Sequence, residues 1–160
     1  MIRIGCVNPD TSHPLAFSQY LLEGNRARYV AVYNDSFRGE DQIEAFMRRR
    51  GLEKRCDTLE ELAEMVDIGF IQDCNWDRHV EEALPFLERG KPVFIDKPLV
   101  GNLADCQKLE ELAAGGAVIL GSSSLRYARE IAELMAQPEE ERGRVVSATG
   151  FIGVDEFNYG

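Results

Sequence analysis

Val93-Phe94-Ile95-Asp96-Lys97-Pro98-Leu99 is a short apolar run that ends abruptly in an acid, a lysine and a proline. The run reads as a buried strand, because a strand covered on both faces shows no polar alternation. In an open parallel sheet, ligands bind outside the carboxyl ends of the strands. Lys97 stands at such an end, before a proline that restricts its backbone. A lysine set there by a rigid strand is well placed to work on a substrate.

On both sides of this run the chain alternates strand and helix. Ile2–Val7 reads as a strand, 14–23 as a helix with Pro14 in its first turn, and Gly24 as its stop. The segment 29–33 is a nearly all-apolar strand, and Glu40–Arg50 a helix that Gly51 ends. Thr58-Leu59-Glu60-Glu61 is a capping box opening a short helix, followed by a buried strand at Ile68–Ile71. A helix over 78–89 carries Pro85, which implies a kink or a change of register. Asn102 caps a helix running to Ala114, Gly115-Gly116 breaks it, and 117–120 is a further strand. The reading closes with a helix over 124–136 and an acidic loop over 138–142. Strands alternating with helices imply βαβ units. With right-handed crossovers, the expected fold class is α/β, a doubly wound, mostly parallel, Rossmann-like sheet. Beyond Gly143 the pattern changes: 144–151 reads as a long strand with no helix after it. It is either an edge strand of the same sheet or the start of a second, α+β domain. The expected division is therefore 1–143 and 144–160.

Composition narrows the function. The 160 residues suit one ordinary domain, and 44% hydrophobic residues are enough for a real core. A net charge of -10 makes nucleic acid and anionic membranes poor partners. The acids are spread over helical surfaces such as Glu60, Glu61 and Glu64, as a solvated face requires. Cys6, Cys56, Cys74 and Cys106 form no CxxC pair, and Cys6 and Cys74 lie in or beside apolar runs. Buried reduced thiols fit this best, so the expected compartment is reducing and cytoplasmic. The chain opens directly on a strand pattern without an apolar signal segment, and no stretch has the length of a membrane span.

Three segments together resemble the Gfo/Idh/MocA oxidoreductases, the family of glucose–fructose oxidoreductase and inositol dehydrogenase. Asp96-Lys97-Pro98 is similar to that family's Glu-Lys-Pro motif, with Asp for Glu. Asn75 and His79 match its Pro-Asn-x-x-x-His segment, and Gly121-Ser122-Ser123-Ser124-Leu125-Arg126-Tyr127 its loop after the sixth strand. The resemblance covers nearly the whole chain. It implies an N-terminal nucleotide-binding domain and the start of a second domain that supplies further substrate contacts and an oligomer interface. It also implies NAD or NADP as cofactor, hydride transfer with a sugar, cyclitol or related polyol as substrate, and a catalytic Lys97 at the reacting oxygen. An ammonium there stabilises a developing alkoxide and relays its proton. Without a second domain the chain by itself is expected to be inactive.

The chain departs from the family at its first βα turn. Where Gly-x-Gly-x-x-Gly is usual, it has Asn8-Pro9-Asp10-Thr11-Ser12-His13. Pro9 removes a backbone donor, and Asp10 puts negative charge where a pyrophosphate lies. A Rossmann-like ligand-binding module that has lost the dinucleotide is therefore the alternative. The ribose-binding acid aligns with Asn34, followed by Asp35, and Asn34-Asp35-Ser36 reads equally well as a plain turn. Asp35 favours NAD, whereas Arg38 offers a partner for a 2′-phosphate.

The cofactor-binding candidates are Asn8, Asp10, Thr11, Ser12, His13, Asn34, Asp35, Asp73, Asn75, Asp96 and Pro98. His13 is a general base, a ligand donor or a helix cap. His79 reads as structural, orienting the loop around Asn75. Asp10, His13, Asp73 and Asp96 are conceivable metal ligands, but their spacing matches no loop motif, so no metal is expected. Trp76 is either a wall for a ring or packing against a helix.

Overall fold

The structure, a computed structural model, describes residues 1–151. Its first compact unit is Met1–Ser122, and a second begins at Ser123. The first unit runs β1 (Ile2–Val7), α1 (His13–Glu23), β2 (Ala27–Tyr33), α2 (Glu40–Arg50), β3 (Lys54–Arg55), α3 (Leu59–Met65), β4 (Ile68–Ile71), α4 (His79–Leu87), β5 (Val93–Ile95), α5 (Leu103–Ala114) and β6 (Ile119–Leu120). All strand pairs are parallel, in the order β3-β2-β1-β4-β5-β6. The order reverses between β1 and β4, and that is where an open α/β sheet has its crevice.

Apolar side chains of alternate parity on the strands build two cores, one on each face. On one face Val7, Ile71, Val93 and Ile95 pack with Leu62 and Ala63 of α3, Ala83 and Phe86 of α4, and Leu109 of α5. On the other, Ile4, Cys6, Tyr29 and Val32 meet Ile43 and Phe46 of α2, with Leu15 and Leu21 of α1 at the margin. The sheet is therefore doubly wound. The fit is close: a Cβ added at Gly69 of β4 would lie 2.7 Å from the Phe86 ring. Phe86 is fully buried, worth about 2 kcal/mol by transfer of its surface from water.

The sequence signals hold at the helix ends. Thr58 accepts from Glu61 N, and Asn102 accepts from Asp105 N. Gly51 takes the left-handed conformation, φ 64°, that ends α2. Lys91 Nζ donates to the carbonyls of Ala63, Glu64 and Val66, capping the end of α3 at 2.6–3.1 Å. Pro85 lies inside α4, which ends at Leu87 rather than at residue 89.

Three expectations need correction, and one strand goes beyond them. β3 was unforeseen, because its two residues are Lys54 and Arg55; backbone pairing with Ala31 and Val32 makes it a strand at a charged sheet edge. The helix expected over 124–136 divides into a 3₁₀ turn (Ser124–Tyr127) and α6 (Arg129–Ala136). Ala128 between them has ψ 124°, and Ser123 caps the turn by accepting from Leu125 N. The acidic loop over 138–142 contains a helical turn, α7 (Glu139–Arg142), with Pro138 before it and acids in its first turn. Residues 144–151 form no strand, for no neighbouring strand pairs with them among the described residues. The rest of that expected element, 152–160, lies outside the described residues. Among the described residues, no helix is long and apolar enough to cross a membrane.

Candidate functional site

The carboxyl ends of β1, β2, β4 and β5 bring most of the anticipated polar residues to one edge. Asn8 follows β1 at φ 47° and is fully buried. Its Oδ1 accepts from Asp35 N at 3.0 Å. Its Nδ2 faces Asp35 Oδ1 (3.0 Å), Asp73 Oδ2 (3.0 Å) and Glu82 Oε1 (2.7 Å). An amide has two hydrogens for these three acceptors. Arg78, just before α4, closes the cluster, with its guanidinium 2.6 Å from Asp35, 3.3 Å from Asp73 and 3.4 Å from Glu82.

One guanidinium cannot neutralise three carboxylates. Burial, then the neighbouring Asp73, pushes the Glu82 carboxyl up to about 9, so Glu82 is protonated at neutral pH. Partial burial works to raise Asp35, but hydrogen bonds from Arg78 and Asn8 leave it below the ordinary carboxylate range. The hydrogen bond to Asp35 holds the Arg78 guanidinium firmly charged.

Asp10 turns inward. Its carboxylate accepts from the Ser36 hydroxyl and from Cys74 N (3.1 Å), and its carbonyl accepts from Arg38. Burial pushes it up to about 6. Burial, followed by Asp10 and Asp73, pushes the Cys74 thiol up to about 11. Potential ligand atoms of Asp10, Asp73 and Cys74 lie within 4.8 Å of one another. Asp10 and Asp73 already have donors from Cys74 N, Asn75 N, Asn8 and Arg78. The quartet Asp10, His13, Asp73 and Asp96 does not assemble: His13 and Asp96 pair separately.

That pair is close. His13, the first residue of α1, places Nδ1 2.5 Å from Asp96 Oδ2. Asp96 is only 4% exposed, and its Oδ1 accepts from Lys97 N at 2.7 Å. The imidazole stacks on Phe17 at 5.6 Å. Lys97 is half-buried at the tip of β5, and Pro98, joined to it by a cis peptide bond, is exposed.

The loops are tied together by His79. It is fully buried, with Nε2 2.9 Å from Asp73 O and Nδ1 3.1 Å from Leu99 O. It thus fixes the loop after β4 against the segment that follows Lys97, the orienting role expected of it. Trp76 packs against Gly101: a Cβ there would lie 2.1 Å from its ring. Asn75 caps its own turn, accepting from Asp77 N at 3.3 Å. Asn34 likewise serves a turn, donating to Arg38 O (3.2 Å) and accepting from Ser36 (3.3 Å). Thr11 accepts from His13 N at 3.1 Å, whereas Ser12 makes no side-chain cap and is exposed.

These contacts test the turn against a dinucleotide. The Asn8, Asp10 and His13 amides donate to Tyr33 O, Asn8 O and Thr11 Oγ1, and Pro9 has no N–H. Side chains fill positions where glycines admit a pyrophosphate, and one is a buried carboxylate. Asp35, the ribose candidate, is taken by Arg78 and Asn8. The turn therefore does not fit a pyrophosphate in the manner of a glycine-rich loop. A cleft of about 220 Å³ lies beside it, lined by Pro9, Thr11, Arg38, Gln42 and Arg49 among others, and does not reach Lys97.

Sequence reasoning missed Glu82, Arg78, Ser36 and Cys74 as members of this site. The available signal was the Arg78/Glu82 spacing of four, which puts both on one side of α4 next to His79.

A family model described as "Oxidoreductase family, NAD-binding Rossmann fold" matches residues 14–124. An inositol 2-dehydrogenase of Gluconacetobacter diazotrophicus is 35% identical over 75 residues, 45% of this chain and 22% of that protein. A probable dehydrogenase from Thermotoga maritima superposes with TM-score 0.71 at 24% identity, over 89% of this chain and 41% of that one. Biliverdin reductase from Synechocystis, solved with biliverdin and NADP+, gives TM-score 0.62 at 22% identity, over 76% and 37%. The chain thus spans about two fifths of the length of the solved proteins it matches.

Proposed function

The chain belongs to the Gfo/Idh/MocA oxidoreductase family, with its NAD-binding Rossmann fold, and from that premise we propose that it serves an oxidoreductase acting on a sugar, cyclitol or related polyol. Lys97 is the residue at the reacting oxygen. The observation that carries this reading is its place: the first residue past Asp96 at the tip of β5, on the carboxyl edge of the sheet, the edge at which open α/β sheets bind their ligands. The inositol 2-dehydrogenase relative supports a cyclitol or similar polyol as the substrate class.

An ammonium at that position polarises the substrate oxygen, stabilises a developing alkoxide and relays its proton. Such positioned proton transfer contributes about 10²–10⁴-fold to a rate. The redox carrier of the family is NAD or NADP, which would accept or supply the hydride. The turn at Asn8–His13 offers it no glycine cradle. Asp35 and Arg38 are both taken by protein partners and favour neither nucleotide. Segment 144–160 is read as the start of a substrate and oligomerisation domain. Four free thiols support a reducing, cytoplasmic setting.

The closed turn favours a second reading, a ligand-binding module without a dinucleotide. Titration with NADH and NADPH, followed by nicotinamide fluorescence, separates the two. Saturable binding below the millimolar range supports the dehydrogenase; none at millimolar nucleotide leaves the module.

A further inference from the structure

His13 and Asp96 stand 83 residues apart in the chain, yet meet at 2.5 Å. Each is a departure from the pattern that the chain otherwise resembles: a histidine where the turn expects glycine, and an aspartate where the lysine motif expects glutamate. The shorter acid accommodates the ring that the loop brings to it. The carboxylate is deeply buried and rigidly held, since Asp96 N donates to Ile71 O at 2.9 Å and Asp96 Oδ1 accepts from Lys97 N. The imidazole is held in plane by Phe17, and its side chain is 32% exposed. Nδ1 is engaged, and Nε2 has no partner among the described residues. A carboxylate behind one ring nitrogen fixes the tautomer and leaves the other nitrogen basic. A helix cap needs none of this, because Thr11 already accepts from His13 N.

We propose that His13 and Asp96 form a carboxylate-oriented imidazole that exchanges a proton, through Nε2, with a hydroxyl of a polyhydroxy ligand at the sheet's carboxyl edge. The inference rests on the polyol reading of this edge. It adds a second proton-handling group, supplied by the chain's own first turn, to the one carried by Lys97. In the forward direction the ligand O–H bond breaks and its electron pair stays on oxygen. The proton forms a new Nε2–H bond, while Nδ1–H remains donated to Asp96. The imidazolium charge is balanced by that carboxylate, and the alkoxide arises on the strand edge that carries Lys97. No oxidant or reductant takes part in this step.

Side-chain ¹⁵N NMR of the chain at about pH 8, where an ordinary imidazole is neutral, tests it with myo-inositol as the probe. His13 is expected as the Nδ1–H tautomer, and Asp96→Asn is expected to reduce that preference. Myo-inositol is expected to move the His13 Nε2 resonance and leave that of the buried His79 in place. In Asp96→Asn the same addition should bind at least tenfold more weakly. Two results overturn the inference and spare the polyol reading: an Nε2–H tautomer in the wild-type chain, or inositol that shifts the Asp96 and Lys97 amides but not His13 Nε2. Inositol that moves neither set removes both. The tautomer is read on the unmutated chain, so the test does not depend on a variant that folds.

Discussion

Replacing Glu82 by Gln should flatten the pH dependence of stability, and the size of the effect follows from the burial of this carboxyl. Glu82 is 1% exposed; its Oε1 accepts from Asn8, and its Oε2 has no hydrogen-bond partner among the described residues. Its affinity for a proton rises from the ordinary 4.5 to about 9 in the folded chain, through burial first and Asp73 second. The folded state therefore holds a proton that the unfolded chain releases above pH 4.5. A carboxyl raised on folding works against stability as pH climbs: its contribution is intact below the unfolded value and declines until the folded value is reached. At pH 7 the gap above 4.5 is 2.5 pH units, which at 1.36 kcal/mol each is about 3 kcal/mol. Asp73 and Arg78 share the titration, so the part that follows residue 82 alone is about 1–3 kcal/mol. Glutamine keeps the oxygen that Asn8 requires and never ionises. Urea unfolding at pH 5.5, 7 and 8.5 reads this out. The wild-type midpoint should drop across the series by much more than that of E82Q, with E82Q the more stable at pH 8.5. Equal slopes, or an E82Q chain more than about 1 kcal/mol weaker at pH 8.5, would refute the protonated carboxyl.

Other outcomes follow from the same edge. His79→Ala leaves the carbonyls of Asp73 and Leu99 without their buried partner and should cost about 2–4 kcal/mol in urea unfolding; a loss under about 0.5 kcal/mol would show that the two loops do not need it. Asp10→Gly removes a buried charge from the turn and should tighten NADH binding at least tenfold, about 1.4 kcal/mol, by nicotinamide fluorescence. Unchanged affinity in a folded variant, checked by circular dichroism, would remove Asp10 as the obstacle.

Much of this architecture is written in local patterns. Apolar runs such as Ile68–Ile71, capping residues such as Thr58 and Asn102, and stops such as Gly51 mark elements whose physics is short-range, and they appear where expected. Lys54–Arg55 was invisible because pairing with β2, not side-chain chemistry, makes it a strand. Segment 144–151 erred the other way: β-prone residues alone do not make a strand without a partner edge. The site shows the same division. Strand ends delivered Asn8, Asp35, Asp73, Asp96 and Lys97 to one edge as read. Their partnerships are tertiary and were not legible. Asp35 reads as a ribose ligand but is held by Arg78, and Glu82, which no sequence signal singles out, is buried against Asn8. The His13–Asp96 contact joins residues on non-adjacent elements, and no local spacing announces it.

The claim that most depends on the sheet edge is that Lys97 meets a polyol oxygen there. Backbone amide NMR of the chain titrated with myo-inositol, wild type beside Lys97→Met, tests it most directly. Saturable shifts centred on Asp96, Lys97 and Leu99 are expected, with at least tenfold weaker binding in K97M and an unchanged urea midpoint. Equal affinity in K97M, shifts confined to the cleft beside Arg38 and Gln42, or no saturable shift at all would contradict it.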